Sequence, residues 1–254
     1  MFKRFDLRRR VRASAVHLLV SLALAVLVAA LVFGLWYPGP YRLLSGGREL
    51  FFIVLAVDVI LGPLLTLVVF NPAKSRRDLW RDLTIIALLQ IGALGYGLYT
   101  VMLARPIAMV FEVDRFRVLS GGQIRLEELA QARPEYRSLP LTGPWLLATR
   151  KPLNGDEAND ALFTAIGGVD VGQRPKFWQP YADSSAEVLA RSRPVEVLLA
   201  HYSQKSAALQ DKLRELAVDP ATTRFLPVMA RGEWVVLLDR AGGIQGFLPV
   251  DGFF

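Results

Sequence analysis

Three long apolar runs occupy the first hundred residues, and mixed apolar and polar positions follow them. The runs are roughly 13–36, 50–70 and 83–103. His17 and Ser21 are the clearly polar positions of the first, Asp58 interrupts the second, and Gln90 is the main polar member of the third. Each run has about 20 residues or more, enough as a helix to cross roughly 30 Å of hydrocarbon. The pattern predicts a membrane α-helical bundle of three transmembrane helices over 13–104. A short basic tail, 1–12, precedes it. A signal peptide is the rival reading of the first run. The run exceeds a usual signal core of about 7–15 residues. It also ends in Trp36-Tyr37-Pro38-Gly39-Pro40, which reads as an aromatic interface belt and a turn rather than a cleavage site.

The remainder, 105–254, predicts a separate α+β domain. Ile107–Leu119 reads as a strand, and Arg125–Ala132 as a short helix. Gly143–Thr149 reads as a strand. Asp156–Ile166 reads as a helix, with Asn154 or Asp156 near its cap and Gly167-Gly168 at its end. The segment from Gly172 to Tyr181, rich in Pro and aromatics, reads as an ordered loop. Ala186–Arg191 and Val195–Leu216 read as helical, with an interruption near Pro194. Phe225–Val228, Glu233–Leu238 and Gln245–Val250 read as strands, the last two joined through Gly242-Gly243.

Charge changes the picture by where it lies. The chain of 254 residues carries a formal charge of +7. Residues 1–104 hold 12 Lys+Arg against 5 Asp+Glu, and the rest hold 18 of each. A nucleic-acid-binding domain would concentrate positive charge on a folded face. Here it flanks apolar runs, as membrane topology requires, so no nucleic-acid partner is expected. Lys3, Arg4, Arg8, Arg9, Arg10 and Arg12 precede the first run, and Lys74, Arg76, Arg77 and Arg81 follow the second. Only Arg42 and Arg48 lie between the first two. That asymmetry predicts a cytoplasmic N terminus and an extracytoplasmic domain from residue 105 onward, on the side that in a bacterial inner membrane is the periplasm. The basic tail either fixes topology, the preferred reading, or also binds anionic lipid headgroups. The lipid bilayer is thus an expected partner.

The polar positions inside the runs are the candidate site residues. A carboxylate at mid-membrane costs at least roughly 2.5–3.5 kcal/mol, so Asp58 should face the bundle interior. Depth along the antiparallel third span matches Asp58 with Tyr96, whose phenol could donate to it. Asp58, Tyr96 and Gln90 form the candidate intramembrane contact. Its readings are a packing hydrogen bond or contact with another membrane helix, which are preferred, and a proton relay. His17 reads as interfacial, without chemistry. Gly62-Pro63 should disturb regular helical bonding locally.

Catalytic signatures are absent. The chain contains no cysteine, which removes thiolate metal sites, disulfides and thiol nucleophiles. There is no nucleophile-elbow, zinc-protease or phosphate-loop motif. His201, near Ser203 and Ser206, reads as a helix surface residue. Glu127-Glu128 and Asp156-Glu157 suit helix dipoles. The expectation is a protein that is not an enzyme, with no cofactor and no metal.

Several segments carry a resemblance. Leu35–Pro40, Val57–Thr66 (VDVILGPLLT), Ala104-Arg105-Pro106, Val110–Phe116 (VFEVDRF), Gly167–Asp170 and Gln179-Pro180-Tyr181 together resemble the TfpX/TfpZ family of type IV pilin accessory proteins. The resemblance is strongest over residues 14–120. It implies a bacterial inner-membrane protein that supports the stability or assembly of a cognate type IV pilin, its expected partner. It supplies no catalytic residues. The alternative is a membrane-anchored periplasmic ligand-binding or sensory protein. That role would need a cytoplasmic output domain or a polar catalytic cluster. The cytoplasmic parts, about a dozen residues each, are short for the first by the size of ordinary folds, and no motif marks the second.

Overall fold

The computed structural model describes residues 6–254. The expected tail contacts of Lys3 and Arg4 lie outside the described residues. Two compact units are present: residues up to Arg42 with Gly46–Ala104, and Leu43–Ser45 with Arg105–Phe254.

The first unit contains, among the described residues, three helices long and apolar enough to cross a membrane. They are α1 (Leu7–Trp36), α2 (Gly47–Val69) and α3 (Arg76–Leu103). Each begins in the polar flank before its predicted run; α1 and α3 cover theirs, and α2 stops one residue short, at Val69. Asp6 caps α1 by accepting from Arg9 N–H, and Ser75 caps α3 by accepting from Asp78 N–H. Both α1 and α2 contain a wider, π-helical turn, at Val32–Trp36 and Val57–Leu61. The second lies just before Gly62-Pro63. Pro63 has no N–H to give the preceding turn, and the widened turn lets the helix pass through it unbroken. Val28, Val32, Tyr37, Phe51 and Val101 form the buried core of this unit. Tyr37, in the segment read as an interface belt, is fully buried and donates its hydroxyl to the Val101 carbonyl at 2.9 Å. Its ring lies where a Cβ on Gly47 would fall, 2.3 Å away, so glycine is what admits it there.

The second unit is a mixed α/β sheet domain. Among the described residues, eight strands form one sheet. They are β1 (Pro106–Glu112), β2 (Arg115–Ser120), β3 (Trp145–Thr149), β4 (Trp178–Pro180), β5 (Arg193–Pro194), β6 (Arg224–Ala230), β7 (Gly232–Leu238) and β8 (Ile244–Leu248). The order is β4-β3-β1-β2-β6-β7-β8, with β5 also pairing with β6. β1–β3 and β2–β6 are parallel, and the remaining pairs are antiparallel. Helices α4 (Gly155–Ile166), α5 (Ser185–Arg191), α6 (Val195–His201) and α7 (Ser206–Glu215) complete the unit. Leu198 and Leu213 from α6 and α7 pack on Phe225, Val235, Leu237 and Leu248. A second core joins Ile107, Val110 and Leu147 to Tyr136 and Trp178.

Four local readings are corrected here. The single strand expected over Ile107–Leu119 is a hairpin, with Glu112 opposite Arg115. Its turn uses Val113 at φ 56°. No Gly or Asn marks it, so the apolar run reads straight through. All seven residues of β1 are buried, as in a central strand covered on both faces, where alternation disappears. Leu126–Gln131 is 3-10 rather than α-helical. The region from Val171 to Pro180 holds two 3-10 turns and strand β4 rather than loop alone. The helix expected over Val195–Leu216 breaks at Tyr202, whose hydroxyl donates to the Asp251 carbonyl at 3.1 Å. The α4 cap is Asn154, accepting from Glu157 N–H at 2.9 Å.

Candidate functional site

Polar side chains of α1 recur at positions 10, 14, 17 and 21, spacings of four and three residues that keep one helix face. That face meets α2. Arg10 Nη1 donates to the Val68 carbonyl at 2.9 Å, and Ser14 Oγ donates to the Pro63 carbonyl at 2.8 Å. His17 Nδ1 and Thr66 Oγ1 share a hydrogen bond of 2.5 Å. Ser21 and Asp58 border a small cavity of about 10 Å³. The result is a polar seam inside an otherwise apolar bundle. His17 is therefore a bonded member of the α1–α2 contact. The signal for the seam was its spacing in the sequence.

Asp58 sits in the widened turn of α2 and is buried, 7% exposed. Gln90 Nε2 of α3 donates to its backbone carbonyl at 3.2 Å. Asp58 Oδ1 has no hydrogen-bond partner among the described residues. Gln90 lies where a Cβ on Gly62 would fall, 2.0 Å from Nε2. Glycine at 62 thus lets the Gln90 amide settle against α2.

Of the expected contact residues, the structure brings Gln90 to Asp58 and leaves Tyr96 apart. Tyr96 is 74% exposed. Tyr96 lies six positions after Gln90, about 240° around a helix of 3.6 residues per turn. Gln90 meets Asp58 and Gly97 meets Val54, so Tyr96 lies about one turn from the level of Asp58 as well as away from it in azimuth.

The α/β unit holds two charged clusters that the sequence reading did not assemble. Arg174 is 1% exposed. Its Nη2 donates to Glu128 Oε1 at 2.7 Å and to Asp160 Oδ2 at 2.6 Å. Lys176 Nζ meets the same Asp160 oxygen at 2.8 Å. Hydrogen bonds from Lys176 and Arg174 hold the Asp160 carboxyl down at about 2. Glu128 is thus the partner of a buried guanidinium, not a dipole-facing surface acid. In the second cluster, Glu112 Oε1 accepts from Arg117 Nε at 2.5 Å and Oε2 accepts from Gly172 N–H at 2.8 Å. Arg117 also bonds Asp170. Burial pushes the Glu112 carboxyl up, against the pull of Arg117 and Gly172. Both clusters join segments far apart in the chain, and fully bonded buried ion pairs of this kind fix geometry. Among the described residues, no group of His, Asp and Glu is arranged to hold a metal ion.

The family described as Fimbrial assembly protein FimB matches residues 5–46. The fimbrial assembly protein of serogroup I from Dichelobacter nodosus is 36% identical over 245 residues, covering 95% of each chain. The chain belongs to this fimbrial assembly protein family. The serogroup E1 protein of the same organism is 35% identical over 95% of each chain. The protein of serogroups C1 and C2 is 46% identical over 121 residues, which is 48% of this chain and 92% of that one. No solved structure matches. In this family member, the segments that carried the resemblance fall at structural joints. Val57–Thr66 is the widened turn with its Gly-Pro. Glu112–Phe116 is the β1–β2 turn. Asp170 opens the 3-10 turn that receives Arg117.

Proposed function

We propose that this protein is an inner-membrane accessory protein, or chaperone, for a cognate type IV pilin. In this reading it supports the pilin's stability or its assembly into pili. The observation that carries the reading is the similarity, along nearly the whole chain, to proteins named for fimbrial assembly. Three helices of spanning length support membrane insertion. The Lys/Arg asymmetry of the flanks supports a cytoplasmic N terminus and a periplasmic α/β unit. The bundle then faces the membrane segment of an unassembled pilin while the α/β unit faces its head.

The role is non-enzymatic in this reading. His201 supports it, because its ring stacks on Phe254 with centroids 3.7 Å apart instead of serving a nucleophile. Deleting the gene should lower pilin abundance and piliation. A tagged full-length protein should co-purify the pilin from detergent-solubilised membranes. Unchanged pilin and piliation in the deletion strain would sink the proposal.

A further inference from the structure

The end of the first unit where α1 begins, α2 ends and α3 begins is strongly basic. Among residues 6–17 and 70–83 there are eight Lys/Arg and three Asp. A groove of about 500 Å³ opens at this end, within the size range of small-ligand sites, roughly 300–1,000 Å³. Ala13, Val16, Phe70 and Leu83 give it an apolar wall, and Arg9, Arg12 and His17 stand along it. Arg9 pairs with the half-buried Asp6 at 3.1 Å. Arg12 is exposed and makes no ion pair among the described residues. Trp80, one turn into α3, is 72% exposed, as an interfacial aromatic would be.

An apolar trough that ends in arginines matches a molecule with a hydrocarbon tail and a negative head. We propose that this groove binds an anionic phospholipid, the phosphodiester at Arg9 and Arg12 and an acyl chain along Val16, Phe70 and Leu83. Basic pockets between membrane helices bind such headgroups by charge, while their apolar walls hold the chain. The site goes beyond pilus assembly and rests on the helices being membrane spans.

The test uses the full-length protein, purified from membranes in a mild non-ionic detergent. Phosphatidylglycerol and phosphatidylethanolamine with the same acyl chains are titrated in, and bound lipid is counted by native mass spectrometry. The wild type should retain phosphatidylglycerol in clear preference. Arg9→Gln/Arg12→Gln should weaken it about thirty-fold, as expected for two arginines near a headgroup. Arg76→Gln/Arg77→Gln removes equal charge outside the groove and should have little effect. Val16→Trp fills the trough, keeps every arginine, and should also weaken retention. Equal retention of both lipids by the wild type overturns the site, and that comparison needs no variant. Equal losses in the two double variants, or none with Val16→Trp, overturn it in favour of a diffuse charged surface. Release of the protein by an alkaline carbonate wash would instead overturn the membrane reading itself.

Discussion

Gln90 of α3 donates its side-chain amide to the backbone carbonyl of Asp58 in α2, at 3.2 Å, across a seat that Gly62 leaves open. Two helices are thereby locked at the point where Pro63 has already disturbed the regular bonding of one of them. The bond joins a side chain to backbone, so it survives substitutions of the Asp58 carboxyl and is vulnerable to any side chain added at 62.

Gly62→Ala should therefore displace Gln90, because the new methyl would meet its amide at 2.0 Å. Hydrogen bonds between membrane helices are worth about 0.6 kcal/mol on average, so a modest fall in the melting temperature in detergent is expected. In a Gln90→Ala background the same change should cost less. A double-mutant cycle reads that difference, and strictly additive costs would contradict the seat.

Asp58→Asn should leave the abundance of the protein in membranes at the wild-type level. The Oδ1 atom has no hydrogen bond to lose among the described residues, and the amide keeps the shape of the carboxylate without its charge. Asp58→Ala should lower abundance partially, by opening space beside the small Ser21 cavity. Immunoblots of membrane fractions check both. Loss of more than half the protein with Asn would identify the ionised carboxylate as necessary.

Arg174→Met should destabilise the α/β unit by less than the about 3–5 kcal/mol of an uncompensated buried charge, because Glu128 loses its hydrogen bonds and keeps only the longer contacts of Arg125 and Lys176, at 3.8 and 4.0 Å. Adding Glu128→Met should recover much of that loss, since apolar replacement of a whole buried pair is often close to neutral. Thermal melts and limited proteolysis of the full chain measure both variants. A double variant no better than the single one would contradict the pairing.

Acid should weaken the α/β unit through Glu157. Hydrogen bonds from Arg150 and the Leu153 N–H hold its carboxyl below the ordinary 4.5, at about 2. A folded value below the unfolded one gives stability that is present above pH 4.5 and is lost as pH falls through about 2. Glu157→Gln should remove this part of the acid transition. Wild-type and variant melting temperatures should differ most near neutrality and converge in strong acid. A constant gap between them at every pH would contradict the assignment.

Much of the molecule was legible in the chain. Apolar length alone located α1, α2 and α3, because a helix that crosses hydrocarbon must be continuous and uncharged. Turn residues located α4 and the β7–β8 hairpin, because Asn154 caps and Gly242-Gly243 turns act locally. The β1–β2 turn escaped because a valine occupies its left-handed position. Partners were decided by the tertiary structure. Counting residues along the spans placed Asp58 level with Tyr96, yet the register and rotation of α3 against α2 presented Gln90 instead. The Arg174–Glu128 pair spans 46 residues, and no local pattern announces it. Periodicity reports which face of an element is buried. Which side chains then meet depends on how those faces are rotated against one another, and only packing sets that rotation.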